Sequence, residues 1–457
     1  MPTPKKETKP AAPKRVESEA TESASVAAPA KKSAQPVSLL RGMRDLLPSD
    51  LMYLRHVQGV IAKIATAYGF AEIETPLVEE TALFSRSVGK TTDIVEKEMY
   101  TWETSSGESI SLRPEGTASV ARAYIQHGML NMPQPVKFWY TGPMFRYERP
   151  QSGRFRQFYQ FGLECLGDAD PIVDAQLVLI AYLSAKELGI DSIVRINSIG
   201  TPESRVNYKN ALVTYFRSKR SKLSEEDKKR LLKNPLRLLD SKEPGMQELK
   251  AEAPQMVDWL DEESRAHFTR VLEYLDEAGV PYELDPYLVR GLDYYTKTVF
   301  ELYATSDDQE LAQSAIGGGG RLDGLVELLG GRPTPAAGMA FGLDRLMSRL
   351  KDRQALPPVA ERADIFLAQL GEMGRKRALP IFEEFRQAGI KVGEALSKAS
   401  IKAQMELANK MGAKWAIVIG QKEVLDGTAI IRDMDAGTQE IVDVKKLVHE
   451  IQKKLAK

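Results

Sequence analysis

Residues 154–167, RFRQFYQFGLECLG, change character with a period of two. Successive side chains of a strand point to opposite faces. Arg154, Arg156, Phe158, Gln160, Gly162 and Glu164 therefore share one side, and Phe155, Gln157, Tyr159, Phe161, Leu163 and Cys165 the other. The second face is mostly apolar, whereas the first carries Arg, Gln and Glu around a bare glycine. A half-solvated sheet gives the same alternation. Gly162 argues for more, because glycine weakens a strand unless something must approach its backbone closely. Gln160 and Glu164 would stand ~13 Å apart along this row.

Upstream, VKFWYTGPMFRYE (136–148) reads as a partner strand, and the turn-rich 149–153 between the two runs predicts an antiparallel hairpin. The first strand ends in Arg146, with Glu148 two residues on. Arginine presents a planar fork of donors suited to phosphate or carboxylate, although a cross-strand ion pair would use the same residues. Working outward, SLRPEGTASVARAY (111–124) sets Glu115 and Thr117 at a turn before a helix, where Glu115 could cap the first turn or receive an ammonium group. LVRGLDYYTKTVFE (288–301) brings Arg290, Tyr294 and Tyr295 together. SAIGGGGRLDGL (314–325) has four glycines that permit close backbone approach, and PAAGMAFGLDRL (335–346) puts Arg345 near a helix start, a setting suited to polyphosphate.

Apolar residues at Leu51, Leu54, Val57, Ile61, Ile64, Ala65 and Tyr68 have helical spacing, with Ser49 or Asp50 as cap and Gly69 as stop. GFAEIETPLVEE (69–80) reads as one extended piece that Pro76 restricts to an edge or interface. Residues 203–280 are charged and helical, an insertion between parts of a β-rich domain. Residues 351–363 hold Pro357 and Pro358 and read as a linker. Beyond it DIFLAQL, WAIVIG and TAIIRDM are short strands between helical stretches, as in a small α/β domain. The expected domains are a disordered tail over 1–37, a catalytic domain over 38–355 containing the 203–280 insertion, and a C-terminal domain over 363–457.

At 457 residues the chain exceeds one ordinary core. Lys+Arg and Asp+Glu stand at 63 each, which excludes a strong net charge but not a local basic patch. The lone cysteine, Cys165, rules out an internal disulfide and a multi-cysteine zinc site, and so favours a reducing, cytoplasmic setting. No apolar run approaches the ~18–20 residues of a membrane span, and the first twenty residues lack the apolar stretch of a secretory signal. The four histidines are too scattered to suggest a catalytic base, and neither a Walker-type loop nor a GxGxxG fingerprint is present. Arginines, carboxylates and glycine-rich approaches without a metal-ligand cluster suit transfer chemistry on a nucleotide.

RGMRDLLP (41–48), LRPEGT (112–117), GPMFRYERPQSGRFRQFYQFGLECLG (142–167), LVRGLDYY (288–295), GGGGRLDGL and GMAFGLDRL together resemble the class II aminoacyl-tRNA synthetases. LVRGLDYY is the part that points to the histidyl-tRNA synthetase family within them. The resemblance runs from about residue 38 to the C-terminus. It implies an α+β fold: a six-stranded antiparallel catalytic sheet flanked by helices, a helical insertion and a C-terminal α/β anticodon-binding domain. It also implies a homodimer built partly from residues 51–80. Carried over position by position, Arg146 would hold the α-phosphate of ATP and Arg345 the γ-phosphate, with adenine between Phe158 and Arg345. Glu148 and Arg154 would complete the ATP site. Arg290 would bridge the substrate carboxylate and the α-phosphate, so Arg146, Arg290 and Gln160 are the expected catalytic set. Glu115, Thr117 and Gln160 would hold the α-amino group. Glu164 and Tyr295 would read the two imidazole nitrogens, Tyr294 would line the pocket, and Gly317 to Gly319 would form its floor. Arg149, Gln151 and Arg154 would face the acceptor end of tRNA. The implied reaction joins L-histidine to histidine tRNA through histidyl-adenylate. Mg²⁺ is expected with the ATP substrate, without a dedicated metal cage or a tightly bound cofactor. A synthetase-like regulatory subunit of ATP phosphoribosyltransferase, a binding protein of the same fold, is the alternative.

Overall fold

The computed structural model describes residues 37–89, 92–149, 154–239, 244–305, 314–353 and 363–456. Most of the expected tail, the hairpin loop 150–153 with Gln151, and most of the expected linker lie outside the described residues.

The strands run β1 (Ala71–Glu72), β2 (Val78–Glu80), β3 (Thr101–Glu103), β4 (Ser109–Leu112), β5 (Val136–Phe145), β6 (Gln157–Leu166), β7 (Ser192–Ser198), β8 (Tyr282–Leu284), β9 (Thr296–Ala304), β10 (Ala315–Arg321) and β11 (Ala336–Gly342). Eight of them form one sheet in the order β1-β5-β6-β11-β10-β9-β7-β8, and β2-β4-β3 form a small second sheet. The expected six-stranded antiparallel sheet is therefore corrected to an eight-stranded mixed one. The central six strands pair antiparallel, while β1 joins β5 and β8 joins β7 in parallel. The added strands are two and three residues long, too short to carry a readable period. The piece 69–80 also divides: β1 and β2 lie on either side of Pro76, in different sheets. The hairpin follows its alternation, with Val136 opposite Leu166 and Phe145 opposite Gln157.

Phe161, Leu163 and Cys165 enter a core shared with the helices Pro48–Ala67, Pro171–Glu187, Glu262–Glu277 and Leu343–Asp352. Each large apolar side chain buried there contributes ~1.5–3 kcal/mol. The first helix begins differently from the sequence expectation. Pro48 occupies its opening position, and Asp50 accepts the Leu47 backbone N–H at 3.2 Å. On the opposite face of the sheet, Tyr140, Leu166, Tyr294, Tyr295 and Val299 pack with Val120 and Tyr124 of the helix Thr117–Gln126.

The helices Pro202–Ser218, Glu225–Lys233 and Pro244–Ala251 follow β7. Residues between Tyr208 and Leu260 build a core of their own. The helix Glu262–Glu277 instead gives Phe268, Val271 and Leu275 to the core beneath the large sheet. The C-terminal region folds as a sheet of β12 (Ile365–Gln369), β13 (Val392–Glu394), β14 (Trp415–Ile419), β15 (Thr428–Asp433) and β16 (Gln439–Asp443), in the order β13-β12-β14-β15-β16. Its first three spatial neighbours run parallel and the rest antiparallel. Among the described residues no helix is long and apolar enough to cross a membrane.

Arg321, at the end of β10, is fully buried. It donates to the Asp174 carboxylate through Nε at 2.8 Å and again through Nη2, and to the Asp168 and Asp170 carbonyls at 2.8 and 3.1 Å. Burial alone would raise the Asp174 carboxyl, but His267 and Arg321 hold it below the usual carboxylate range. Removing one partner strands a charge in the core. Arg321→Met is therefore expected to lower unfolding free energy by about 3–5 kcal/mol, measured by urea denaturation.

Candidate functional site

A cavity of about 400 Å³ opens on the polar side of β6. Its lining includes Arg146, Arg154, Arg290 and Arg345, and the carboxylates Glu115, Glu148, Glu301 and Asp344. Thr117, Tyr140, Phe158, Gln160, Tyr294, Tyr295, Gly317 and Gly318 share the wall. Nearly every residue expected of the site thus comes to one place from segments far apart in the chain. Glu164 and Gly319 are outside the lining. Glu164 is buried behind it, 2 % exposed, bonded to two residues that do line it. Gly319 packs towards β11, and Gly318 takes the place on the wall. A Cβ at Gly318 would lie 2.9 Å from Arg290 Nη1 and 2.7 Å from the Phe300 carbonyl, so glycine there keeps Arg290 in position. The four glycines are strand residues, paired to β9 and β11.

Glu115 serves the helix it precedes. Its carboxylate accepts the backbone N–H groups of Thr117 at 2.6 Å and Ala118 at 3.0 Å, satisfying donors the helix cannot. Burial pushes its carboxyl above the usual range despite these bonds. Arg146 donates from Nε to the Pro114 carbonyl at 3.0 Å, and its guanidinium carbon stands 5.3 Å over the Phe158 ring. Glu148 lies 3.8 Å from Arg146 and 3.5 Å from Arg154. Arg345 donates to the Ala315 carbonyl. Burial and then the nearby Arg154 pull the Arg345 pKa down, the mark of a cation short of compensating charge. For Arg290, burial opposes the charge but Glu301 outweighs it, holding the guanidinium well above its ordinary value.

The segment 41–48 clamps the hairpin. Arg44 pairs with Asp344, and its guanidinium carbon stands 3.9 Å over the Phe155 ring. Asp344 also accepts the Tyr159 backbone N–H at 2.6 Å. Arg156 donates to the Arg41 carbonyl at 3.0 Å and stacks 3.6 Å over Tyr147, outside the cavity.

Three buried polar atoms at this centre have no protein partner: Gln160 Oε1, Glu164 Oε2 and Arg290 Nε. Such an atom costs about 1–3 kcal/mol when left unmet, so a ligand with complementary donors and acceptors is the natural occupant. Among the described residues no group of three His, Cys, Asp or Glu side chains is arranged to hold a metal ion.

Residues 42–346 match the histidyl-tRNA synthetase family model, and residues 364–454 match that of an anticodon-binding domain. The chain belongs to the histidyl-tRNA synthetase family. It is 43% identical over 416 residues to the histidine–tRNA ligase of Dehalococcoides mccartyi, covering 91% of this chain and 99% of the relative. It is 45% identical over 423 residues to that of Desulforudis audaxviator, with the same coverage. The solved apo histidyl-tRNA synthetase of S. aureus superposes with a TM-score of 0.76 at 36% identity, covering 91% of this chain and all of that one.

Within this member of the histidyl-tRNA synthetase family, sequence reading passed over Tyr140 and Glu301. Glu301 is the last polar residue of a strand-like run; its pairing with Arg290 joins positions eleven apart across a turn. Tyr140 reads as one aromatic among several in 136–148.

Burial lifts the Glu164 carboxyl well above its unfolded value of 4.5. The folded protein therefore holds a proton that the unfolded chain releases, and stability falls as pH rises from the unfolded towards the folded value. Glu164→Gln removes this term. Its melting temperature relative to the parent protein is expected to rise as pH is raised above the unfolded value of 4.5, read by calorimetry. A constant difference across that range would refute the assignment.

Proposed function

We propose that the protein ligates L-histidine to histidine tRNA in two steps, with ATP as the activating substrate. The observation that carries this reading is the meeting of Arg146, Arg290 and Arg345 with Gln160, Tyr295 and the buried Glu164 around one cavity in a family member. Arg345 would take the terminal phosphate, and Arg146 the innermost one, with the adenine near Phe158. Glu148 and Arg154 would complete this end. Mg²⁺ would enter with the nucleotide, and Glu148, held only loosely by its arginines at 3.8 and 3.5 Å, has the capacity to contact it.

In the first step the histidine carboxylate attacks the α-phosphorus of ATP. Pyrophosphate leaves and histidyl-adenylate remains. Arg146 and Arg290 stabilise the charge growing on the phosphoryl oxygens, so catalysis is mainly positioning and cationic stabilisation. Glu115, Thr117 and Gln160 hold the α-amino group; Glu164 and Tyr295 select the imidazole; Tyr294, Gly317 and Gly318 shape the pocket. A site built to pair two ring nitrogens rejects side chains lacking them. In the second step the terminal ribose hydroxyl of tRNA attacks the acyl carbon, and AMP leaves.

The region 38–355 would then be the catalytic domain, the helices Pro202–Ser218, Glu225–Lys233 and Pro244–Ala251 its insertion, and 363–457 the anticodon-binding domain. We assign a homodimer, supported by exposed Leu77 and Val78 in the 51–80 segment. A cytoplasmic location accords with the lone, buried Cys165.

ATP–pyrophosphate exchange tests the reading directly: exchange is expected with histidine and not with other amino acids, and its absence would favour a non-catalytic binding protein. Arg290→Ala is expected to slow exchange by more than about a hundredfold, since a donor aimed at transition-state charge contributes ~2.7–4 kcal/mol. An unchanged rate would remove Arg290 from the chemistry.

A further inference from the structure

Tyr140 is 2 % exposed and borders the cavity, yet the two-step reaction described above gives it no task. Its surroundings are unusually specific. A Cβ at Gly116 would stand 2.2 Å from its ring, and a Cβ at Gly162 would stand 2.2 Å from its ring and 2.3 Å from its hydroxyl. Two glycines from different elements therefore leave a slot that this ring fills. The hydroxyl donates to Glu164 Oε1 at 3.2 Å, and Thr117 Oγ1 donates to the same oxygen at 2.6 Å. The other oxygen, Oε2, is buried with no partner. Beside it β11 carries Gly338, where a Cβ would come within 1.8 Å of Oε2.

We propose that Tyr140 is the positioning residue of the amino-acid site: wedged between Gly116 and Gly162, it fixes Glu164 through Oε1 so that Oε2 alone remains to accept an N–H from the bound side chain. The last clause rests on the ligase reading given above; the coupling between Tyr140 and Glu164 does not. Two donors on one oxygen define the plane and rotamer of the carboxyl. Gly338 makes room for the carboxylate itself, and an acceptor left bare there has the need for a ligand donor. Specificity then depends on a hydroxyl that itself never leaves the protein.

The same bonds act on the proton affinity of Glu164. The groups facing it are Glu115 and Thr117 at the start of the helix Thr117–Gln126, Tyr140 on β5, and Tyr294 and Tyr295 ahead of β9. Burial raises the carboxyl first; Thr117 and Tyr140 oppose this by bonding the ionised form, and Glu115 adds to it by repulsion. Removing the Tyr140 hydroxyl therefore moves the Glu164 titration to higher pH.

Tyr140→Phe keeps the ring in its slot and tests the idea in the full-length protein. The Glu164 carboxyl is followed by carbon-13 NMR of labelled glutamate, its signal assigned by loss in Glu164→Gln. In Tyr140→Phe its proton affinity is expected to rise about tenfold. In exchange kinetics KM for histidine is expected to rise about tenfold or more, KM for ATP to stay the same, and the acid limb of kcat/KM for histidine to move upward in pH. Gly162→Ala, which retains the hydroxyl but displaces the ring, is expected to give the same KM split. A Glu164 titration unmoved in Tyr140→Phe would overturn the inference, as would equal losses for histidine and ATP. If the titration moves while the parent protein shows no histidine-dependent exchange, the ligase reading fails and the assignment of an amino-acid site fails with it.

Discussion

One ten-residue strand has to satisfy two environments at once. On one side β6 gives Phe161, Leu163 and Cys165 to an apolar core; on the other it carries Phe158, Gln160, Gly162 and Glu164 towards the cavity. A slip of one residue would exchange the two sets, burying glutamine among aliphatics and turning phenylalanine and leucine into the polar site. Register is therefore the constraint from which the rest follows. It is held by β5 on one flank and β11 on the other, and by the Arg44–Asp344 pair that ties the segment 41–48 to the helix following β11.

The cavity that results is electrostatically unfinished. Burial and Arg154 outweigh the carboxylates near Arg345, and Glu115 and Glu164 are pushed towards protonation by burial. A core designed for stability alone would fill such a space with apolar groups. Apolar cores lie on both faces of the large sheet around it, and the buried Arg321–Asp174 pair lies away from the cavity lining.

How far this was readable from sequence depends on the range of the signal. The hairpin was legible because alternation over ten residues is a local property, whereas the close approach that Gly162 marked is made by the Tyr140 ring. The arginines at 146, 290 and 345 stood out individually, but their meeting was supplied by family resemblance, since no spacing in one dimension brings them together. The places of β1 and β8 in the large sheet escaped because two or three residues have no period, and the glycines 317–320 gave close backbone approach but not their pairing, because a strand of glycines has no side chains to alternate. Tyr140 was hidden for a different reason. Its role comes from what Gly116 and Gly162 lack, and an absence at two distant positions gives no pattern beside the residue that uses it.

Cys165, which the alternation of β6 turns into the apolar layer, illustrates a practical outcome of that geometry. Its thiol is buried and pushed up to about 12, so the reactive thiolate is scarce in the native protein. As the chain has one cysteine, a thiol-directed dye reports on a single location at the centre of the sheet. The intact fold would leave such a dye dark, and each labelled molecule would record an opening of the main core, giving the chain an intrinsic clock for its own unfolding.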